Sequence, residues 1–594
     1  MEFFNNNISR HKKEDGRLSK LFNQISTIRV VTFVVALILA IYVADIPNAT
    51  ALAAVVVLFL ISFVILVKWH NRVKYARNHA RFLAKINEDE QKRVEGKLSD
   101  FKSGEEFKSD THYYSNDLDI FGRNSIFQLL NRSTTLTGRK VLADWLLAPA
   151  EKATIIKRQE AIEELKITPD FCQNFEAVGL HFENEKANFT PLMSWLKEPA
   201  IVRSNKWLIF ASYAFPSISI TLLISIIWFG VPIGFVLLVF LAAGILLKTV
   251  FKYSLLISEQ TNNGVSTLAT ISQLIKEIEG KEFSSDILNE IKEDLFRENI
   301  SASIKINKLA RILDFLNSRA NMLYASINFL FLLDIHLISS AEKWKLQNEQ
   351  NVKKWVDGVS EFEVLASLAR FAHANPNFIQ PIIEEEDYQF KTTNMSHPLI
   401  KPHERVGNDF EAGSKGEVMI ITGSNMSGKS TFLRTIGVNV VLALAGAHVA
   451  ADKMNLSKML IFTSMRTQDN LEEHISSFYA ELKRIEQLLA LVKESATPVL
   501  FMLDEILKGT NSHDRHKGGV AIVKQLHNTN SFGFVSTHDI ELGQQAESMG
   551  FCKNYSFNSS IVENKILFDY KMTKGVCKSF NASAMMKNIG IEIE

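Results

Sequence analysis

Two stretches of the chain are apolar without helical or strand periodicity. Val30–Val43 and Ala49–Val67 flank a turn at Asp45–Asn48, and Trp207–Phe229 and Ile233–Leu247 flank a turn around Gly230–Pro232. A helix needs roughly 20 apolar residues to cross a bilayer. Ala49–Val67 and Trp207–Phe229 meet that length. The two shorter runs reach it with flanking residues or snorkelling lysines. Each pair is read as a transmembrane hairpin rather than a pair of core helices, because adjacent uncharged runs seldom coexist in a soluble core. A cleaved leader is disfavoured for the first pair, since a second span follows at once.

Lys and Arg near the ends set the orientation. Arg10, Lys12, Lys13, Arg17, Lys20 and Arg29 precede the first span, and Lys68, Arg72, Lys74, Arg77, Arg81 and Lys85 follow the second. Arg203 and Lys206 precede the third, Lys248 and Lys252 follow the fourth, and the turns carry neither residue. This predicts a multi-pass membrane protein of four spans, with the soluble domains and both termini cytoplasmic. Lys68–Lys85 is read as a stop-transfer and lipid-headgroup stretch before a nucleic-acid contact. The spans hold almost no ionisable groups, so the hairpins read as anchors.

Elsewhere the periodicity is helical. Ser125–Leu147 reads as two helices with a Ser/Thr/Gly break at Ser133–Gly138. Leu268, Ile271, Ile275 and Ile278, and again Leu309, Ile312 and Leu316, form single apolar stripes. Met322–Ile338 is apolar enough to suggest a fifth span, but Asn328, Asp334 and His336 favour a buried soluble helix. From about Thr393 the texture becomes strands alternating with helices. Glu417–Thr422, Pro498–Leu503 and Phe532–Ser536 are short apolar runs separated by helical stretches, the pattern of a parallel sheet with crossover helices.

Composition refines this picture little. The 594 residues carry 66 basic and 65 acidic side chains, a formal charge of +1, which excludes a uniformly basic nucleic-acid binder. A hydrophobic fraction of 46% excludes a disordered chain. Three cysteines with no C-x-x-C pair argue against a disulfide framework or zinc site and for a reducing compartment. The mean hydropathy of +0.03 averages the apolar spans with an ordinary soluble remainder.

The chemistry lies in the C-terminal third. Gly423–Ser430 reads GSNMSGKS and matches G-x-x-x-x-G-K-[ST] between a strand and a helix. Backbone N–H groups across Gly423, Ser424, Asn425, Met426, Ser427, Gly428, Lys429, Ser430 and Thr431 are placed to cradle ATP phosphates at the helix start. Lys429 reaches the β- and γ-phosphates and Ser430 holds Mg²⁺. Leu500–Glu505 ends an apolar strand in two carboxylates: Asp504 for Mg²⁺ and Glu505 to polarise the attacking water. His538, at the end of the next strand, can hydrogen-bond a γ-phosphate or that water. His513, Asp514 and His516 suggest a metal site by proximity, but that reading is disfavoured. Ser476 and Ser477 precede a helix over Phe478–Leu491, and both N-capping and a contact to another subunit's nucleotide use the same free N–H groups.

Together these residues resemble the MutS family of ABC-type ATPases. TGSNMSGKSTFLRTIG resembles its T-G-P-N-M-x-G-K-S-T-x-L-R segment, with Ser424 where Pro is usual. FTSMRTQDNLEEHISSFYAEL is similar to the stretch ending in S-T-F-x-x-E-M, placing Ser476, Ser477, Phe478 and Glu481 on the signature motif. LDEILKGTNSHD and STHDIEL resemble its D-E-x-x-x-G-T and T-H segments, and Tyr570–Ile591 its C-terminal pattern. SIFQLLNRSTTLTGRKVLADWLLAP resembles the start of its helical core, and EVLASLARF and MSHPLI the entry to its ATPase. The resemblance covers about 119–200 and 256–594. It implies an α/β P-loop ABC-type ATPase domain at the C-terminus, behind a mainly α-helical core carrying the two hairpins. It also implies ATP and Mg²⁺ as ligands, a head-to-tail homodimer in which Ser476 and Ser477 complete the partner's site, and DNA as a binding partner.

The departures matter too. No Phe-x-Glu wedge occurs in the first 150 residues, and Phe296-Arg297-Glu298 matches by letters alone within a helical stretch. The long DNA clamp is shortened or absent. The expected organisation is an N-terminal segment (1–29), hairpin one (30–67), a linker and first core part (68–206), hairpin two (207–247), a helical core and lever (248–392) and the ATPase domain (393–594). The alternatives are a nucleotide-switched membrane scaffold for protein partners, and an ABC transporter. The latter calls for a Leu-Ser-Gly-Gly-Gln-like signature and more spans, and the sequence has neither.

Overall fold

The computed structural model describes residues 1–44, 49–181, 190–296, 301–424, 426–466, 477–562 and 565–577. The turn at Asp45–Asn48, Asn425, Ser476, the Arg297-Glu298 pair and the C-terminal pattern beyond Cys577 lie outside them, as does the side chain of Ser477. The region before the C-terminal domain is mostly helical, and an α/β domain follows.

Among the described residues, four helices are long and apolar enough to cross a membrane: Glu2–Ala44, Thr50–Val94, Lys206–Phe229 and Phe235–Glu259. The apolar windows of the first two are unburied. Neither hairpin is a separate module. The second helix of the first runs unbroken over Ala49–Val94, and that of the second over Phe235–Glu279. Each therefore continues from its apolar stretch into the helical core. The lower part of the first hairpin packs through Leu18, Ile25, Val73 and Ala80. Leu268, Ile271, Ile275 and Ile278 are buried as their spacing predicts, and so are Leu309 and Leu316.

The core is organised around the 42-residue helix Leu333–Ala374, the lever. Near its start, the Glu342 carboxylate accepts from the backbone N–H groups of Ile201, Val202 and Arg203 (2.7, 3.1 and 2.8 Å). Lys345 donates to the carbonyls of Trp195 and Glu198, the end of helix Thr190–Lys197. One helix face thus satisfies donors and acceptors that a chain reversal leaves free. Farther along, buried Glu363 accepts from the backbone and hydroxyls of Thr134 and Thr135. This places the break of Ser125–Leu147 at Asn131–Thr135, between helices Ile126–Leu130 and Leu136–Leu147. Gly138 belongs to the second helix, not the break. A Cβ there would stand 2.2 Å from Glu363 Oε2, so glycine is needed for the carboxylate to approach.

Glu90, at the far end of helix Ala49–Val94, is fully buried among three arginines. It pairs with Arg132 (2.8 Å), Arg370 of the lever (2.6 Å) and Arg93 (3.3 Å). Arg370 also pairs with Glu176. Burial alone would raise the Glu90 carboxyl, but Arg132, Arg370 and Arg93 outweigh it and bring it down to about 2. The cluster's contribution is therefore complete above the unfolded carboxyl's ordinary value and is lost as pH falls toward about 2. Glu90→Ala leaves three buried guanidinium groups around an empty site. It is expected to cost about 3–5 kcal/mol, read as a fall in the denaturant midpoint. A midpoint shift equivalent to under about 1 kcal/mol would contradict this.

Met322–Ile338 is not the single buried helix expected from sequence. It breaks at Leu332 (φ 49°) into helix Met322–Phe331 and the lever, bent by 82°. The shorter helix packs on Lys206–Phe229 and Phe235–Glu279. The polar residues that favoured one soluble helix instead serve the bend: Asn328 accepts from the Asp334 N–H (2.9 Å) and its carbonyl from Leu332 N–H (2.8 Å).

The α/β domain contains strands β1 (Ile382–Ile383), β2 (Phe390–Met395), β3 (Asn408–Ala412), β4 (Val418–Gly423), β5 (Lys453–Leu456), β6 (Leu460–Ser464), β7 (Val499–Asp504), β8 (Ser531–Thr537), β9 (Cys552–Val562) and β10 (Lys565–Lys574). They form a four-stranded sheet, β1-β5-β2-β3, and a six-stranded sheet, β10-β9-β4-β8-β7-β6. From β9 to β6 the larger sheet is parallel, and only β10 is antiparallel. The three strands read from sequence, β4, β7 and β8, are adjacent at its centre. β4 and β8 are buried throughout, as expected of a parallel sheet covered on both faces.

Candidate functional site

The predicted residues converge at the C-terminal ends of β4, β7 and β8, where open α/β sheets bind ligands. β4 runs into the glycine-rich loop, and helix Lys429–Ala445 begins at Lys429. Gly428 precedes that helix with φ 105°, in the left-handed region, and so lets the chain turn from loop into helix. Thr431 lies in the first turn. Ser424 and Met426 form the outer loop, with Met426 exposed.

Lys429 is buried, and its ammonium group curls back to the carbonyls of Gly423 (2.8 Å) and Ser424 (3.1 Å), 3.9 Å from Glu505. Burial holds it below the usual lysine range, with Glu505 and Asp504 opposing. Ser430 Oγ donates to Asp504 Oδ2 (2.6 Å). Register explains the other side of that carboxylate: Asp504 faces Ser536 across β7 and β8, and Ser536 Oγ donates to Oδ1. Ser427 Oγ is buried without a protein partner among the described residues. A hydroxyl–carboxylate pair, a loop ammonium and an orphaned loop hydroxyl fit a magnesium–phosphate ligand.

Glu505 sits just past β7 in a strained turn. Its φ is 52° and that of Leu507 is 60°. The turn is held on two sides: the Glu505 N–H donates to Ser536 O (2.9 Å), and the Glu481 carboxylate accepts from the N–H groups of Leu507 and Lys508. Lys508 lies 2.9 Å and His538 3.9 Å from the Glu505 carboxylate. Burial would raise the Glu505 carboxyl, but Lys508, Lys429 and His538 outweigh it and hold it below the ordinary range. It is ionised at neutral pH, the state a base requires.

Of the predicted residues, Gly423, Ser424, Ser427, Gly428, Lys429, Ser430, Asp504, Glu505 and His538 are thus gathered in one place. Ser477 opens helix Ser477–Glu494, whose first turns bring Glu481 to the Glu505 loop. The proximity-based metal group disperses. Asp514 joins the Asn511 cap (2.8 Å), and His516 turns to Asp539 (3.1 Å) and Gln545 (3.0 Å). Among the described residues, the donors that do come together are His516, Asp539 and Glu541.

Three contributors were not legible as such: Ser536, Lys508 and the clasp made by Glu481. Ser536 could have been found from register, since it stands next to the Thr-His pair. The Glu481 contact spans 26 positions, and the resemblance that places Glu481 on the signature motif does not say which loop it holds. Glu481→Ala should leave nucleotide affinity intact and lower turnover roughly 10–150-fold, at about 1.5–3 kcal/mol for a lost charged hydrogen-bond pair. Steady-state ATPase kinetics would show it, and unchanged kcat would refute the clasp.

The core is tied to this site by two acids. Asp117 accepts from Thr463 Oγ1 (2.7 Å) and from the N–H groups of Met465 and Arg466 (3.1 Å each). Asp119 pairs with Arg466 (2.9 Å) and with Arg434 of the loop helix (3.5 Å). A cavity of about 240 Å³ opens beside the loop helix between His397, Asn408, Thr431, Phe432 and Tyr570. Burial pushes the His397 imidazole down to about 4, so it is neutral there.

Residues 419–591 match the family model for MutS domain V. Two relatives, each named DNA mismatch repair protein MutS, come from Finegoldia magna (30% identical over 271 residues, 44% of this chain and 30% of the relative) and Clostridium botulinum (30% over 238 residues, 39% and 25%). The chain thus aligns with less than a third of the length of either. Domain V is the ATPase domain of these proteins, and residues 419–591 identify a MutS-family domain V in this chain.

Proposed function

We propose that the chain is a membrane-anchored, MutS-like ATPase of P-loop ABC type. Residues 30–67 and 207–247 form its hairpins, 248–392 its helical core and lever and 393–594 its ATPase domain, and all soluble parts lie on the cytoplasmic side. The observation that carries the reading is the Ser430–Asp504 contact beside the Lys429 ammonium and the ionised Glu505. Gly423–Thr431 and Lys429 bind the ATP phosphates. The base enters the cavity at Thr431 and Tyr570. Ser430 and Asp504 hold Mg²⁺, which supplies charge neutralisation at the phosphates when bound. Glu505 takes the proton of the attacking water, and His538 orients that water or the phosphate. Ser476 and Ser477 of a second copy complete the site, so ATP binding closes a homodimer and hydrolysis reopens it.

The relatives' names support coupling to DNA. The experiment is binding of duplex and branched DNA by detergent-solubilised protein at low salt, with and without ATP. Phosphate contacts are strongest at low salt, so nucleotide-dependent binding there supports the coupling and none sinks it. One observation favours a second reading, a nucleotide-switched scaffold: the lever joins the α/β domain at one end and the helix pair of the second hairpin at the other. Pull-downs with wild type and Glu505→Gln would then yield partners that change with nucleotide state. An ABC transporter reading would need ATPase stimulation by a translocated solute.

A further inference from the structure

The bend at Leu332 has a definite position relative to the second hairpin. Helix Phe235–Glu279 leaves its apolar stretch at Lys248 and Lys252. About 15 Å beyond Lys248, Ser258 Oγ donates to Asn317 Oδ1 (2.7 Å), at the end of helix Ala302–Asn317. The chain then climbs the hairpin instead of turning away. The ring of Phe329 packs on Phe240 (5.5 Å between centroids), and a Cβ on Gly244 would lie 3.8 Å from it. At about 1.5 Å per residue, Gly244 is about 6 Å and Phe240 about 12 Å above Lys248. A hydrocarbon core is about 30 Å thick, so Phe329 reaches well inside it.

The return path is fixed as well. Pro216 lies inside helix Lys206–Phe229 and has no N–H to give the carbonyl of Ser212, four residues back. His336 Nε2 donates to that carbonyl instead (2.5 Å). Ser212 is about 9 Å above Lys206, where the apolar helix begins. Between these two anchors the charged groups are turned inward, while Ser318, Asn321 and Ser326 are exposed: the Asp334 carboxylate takes the Tyr324 hydroxyl (2.5 Å) and pairs with Arg319 (3.2 Å). Irregular backbone and charge are tolerated at this depth only when enclosed by protein. Ile327, in contrast, is exposed, as are Leu241 and Ile245 on the neighbouring span.

We propose that Ser318–His336 is a re-entrant element. It enters the bilayer from the ATPase side, meets acyl chains through Ile327, and turns back into the lever without crossing. The inference rests on the membrane reading of the second hairpin. It gives the lever an output in the lipid itself: motion at the ATPase end moves an element lodged in the bilayer.

The test is spin-label accessibility in proteoliposomes of phosphatidylcholine and phosphatidylglycerol. The background replaces Cys172, Cys552 and Cys577 and is checked for retained ATPase activity. Labels are placed by Ile327→Cys, by Leu241→Cys as the span reference and by Lys354→Cys as the aqueous reference. Phe315→Cys, on the exposed side of the entering helix, supplies a second and shallower position. At residue 327 collision with oxygen should exceed collision with a water-soluble nickel chelate several-fold, as at 241, with the order reversed at 354 and intermediate at 315. If 327 behaves like 354 while 241 is lipid-like, the re-entrant assignment is overturned. A label at 327 closed to both reagents means that protein covers it, which also overturns the lipid contact. Nickel access at 241 instead overturns the membrane reading itself.

Discussion

Lys429→Ala is expected to abolish ATP binding at working nucleotide concentrations. The ammonium group is the cation at the centre of the loop, poised at the Gly423 and Ser424 carbonyls and 3.9 Å from Glu505. Burial already holds it below the ordinary lysine range, so little water shields it. Its exchange of carbonyl contacts for phosphate oxygens is a charge-assisted interaction, worth about 1.5–3 kcal/mol even before the local dielectric is considered. That corresponds to roughly 10–150-fold in affinity. Without it, Asp504 and Glu505 face the phosphates with no buried cation between them, which adds repulsion to the loss. Titration with a fluorescent ATP analogue measures this directly. Wild-type affinity in the variant would remove Lys429 from the site. The fold should survive, because the alanine occupies the same helix start.

Glu505→Gln should separate binding from turnover. The amide keeps the shape of the side chain and cannot accept the water's proton. General-base catalysis contributes about 10²–10⁴-fold, so kcat should fall by that factor while ATP affinity holds or improves. The pattern is that of a group acting in the transition state rather than in ground-state binding. The Lys508 contact sharpens the prediction. Glutamine loses the charge that pairs with Lys508 and with Lys429, so both cations are freer to meet phosphate oxygens. Single-turnover hydrolysis and equilibrium binding, measured side by side, test both halves. Normal turnover would reassign the base, with His538 the nearest alternative at 3.9 Å.

The centre of the site was legible because its signals are local. A strand, a glycine-rich loop and a helix start are consecutive in sequence, and Asp504 and Glu505 end a strand whose apolar run is unmistakable. Their juxtaposition also follows from strand order, since β4, β8 and β7 are neighbours. The supports were not legible. Glu481 holds the Glu505 turn from another helix, and Glu363 reaches Thr134 from 229 positions away. Such contacts depend on which helix faces which loop, and a carboxylate on a helix face reads equally well as a solvated charge. The expected soluble helix at Met322–Ile338 failed for the same reason. Asn328 and Asp334 looked like the polar residues of an aqueous helix, and they are partners within a bend.

The sequence by itself determined the apolar hairpins, the loop that fits a nucleotide and the pair of carboxylates that follows. These depend on composition and spacing over a few residues, where the hydrophobic effect and backbone geometry act without help from distant chain. Only the tertiary structure decided how the parts are joined. The hairpin helices run on into the core, Glu90 locks the first of them to the lever through Arg370, and His336 meets the carbonyl that Pro216 leaves free. Buried charges and unpaired carbonyls must find partners wherever the fold brings them. Their pairing is therefore a property of the packed molecule, and it connects the nucleotide site to the helices that are apolar enough to enter a membrane.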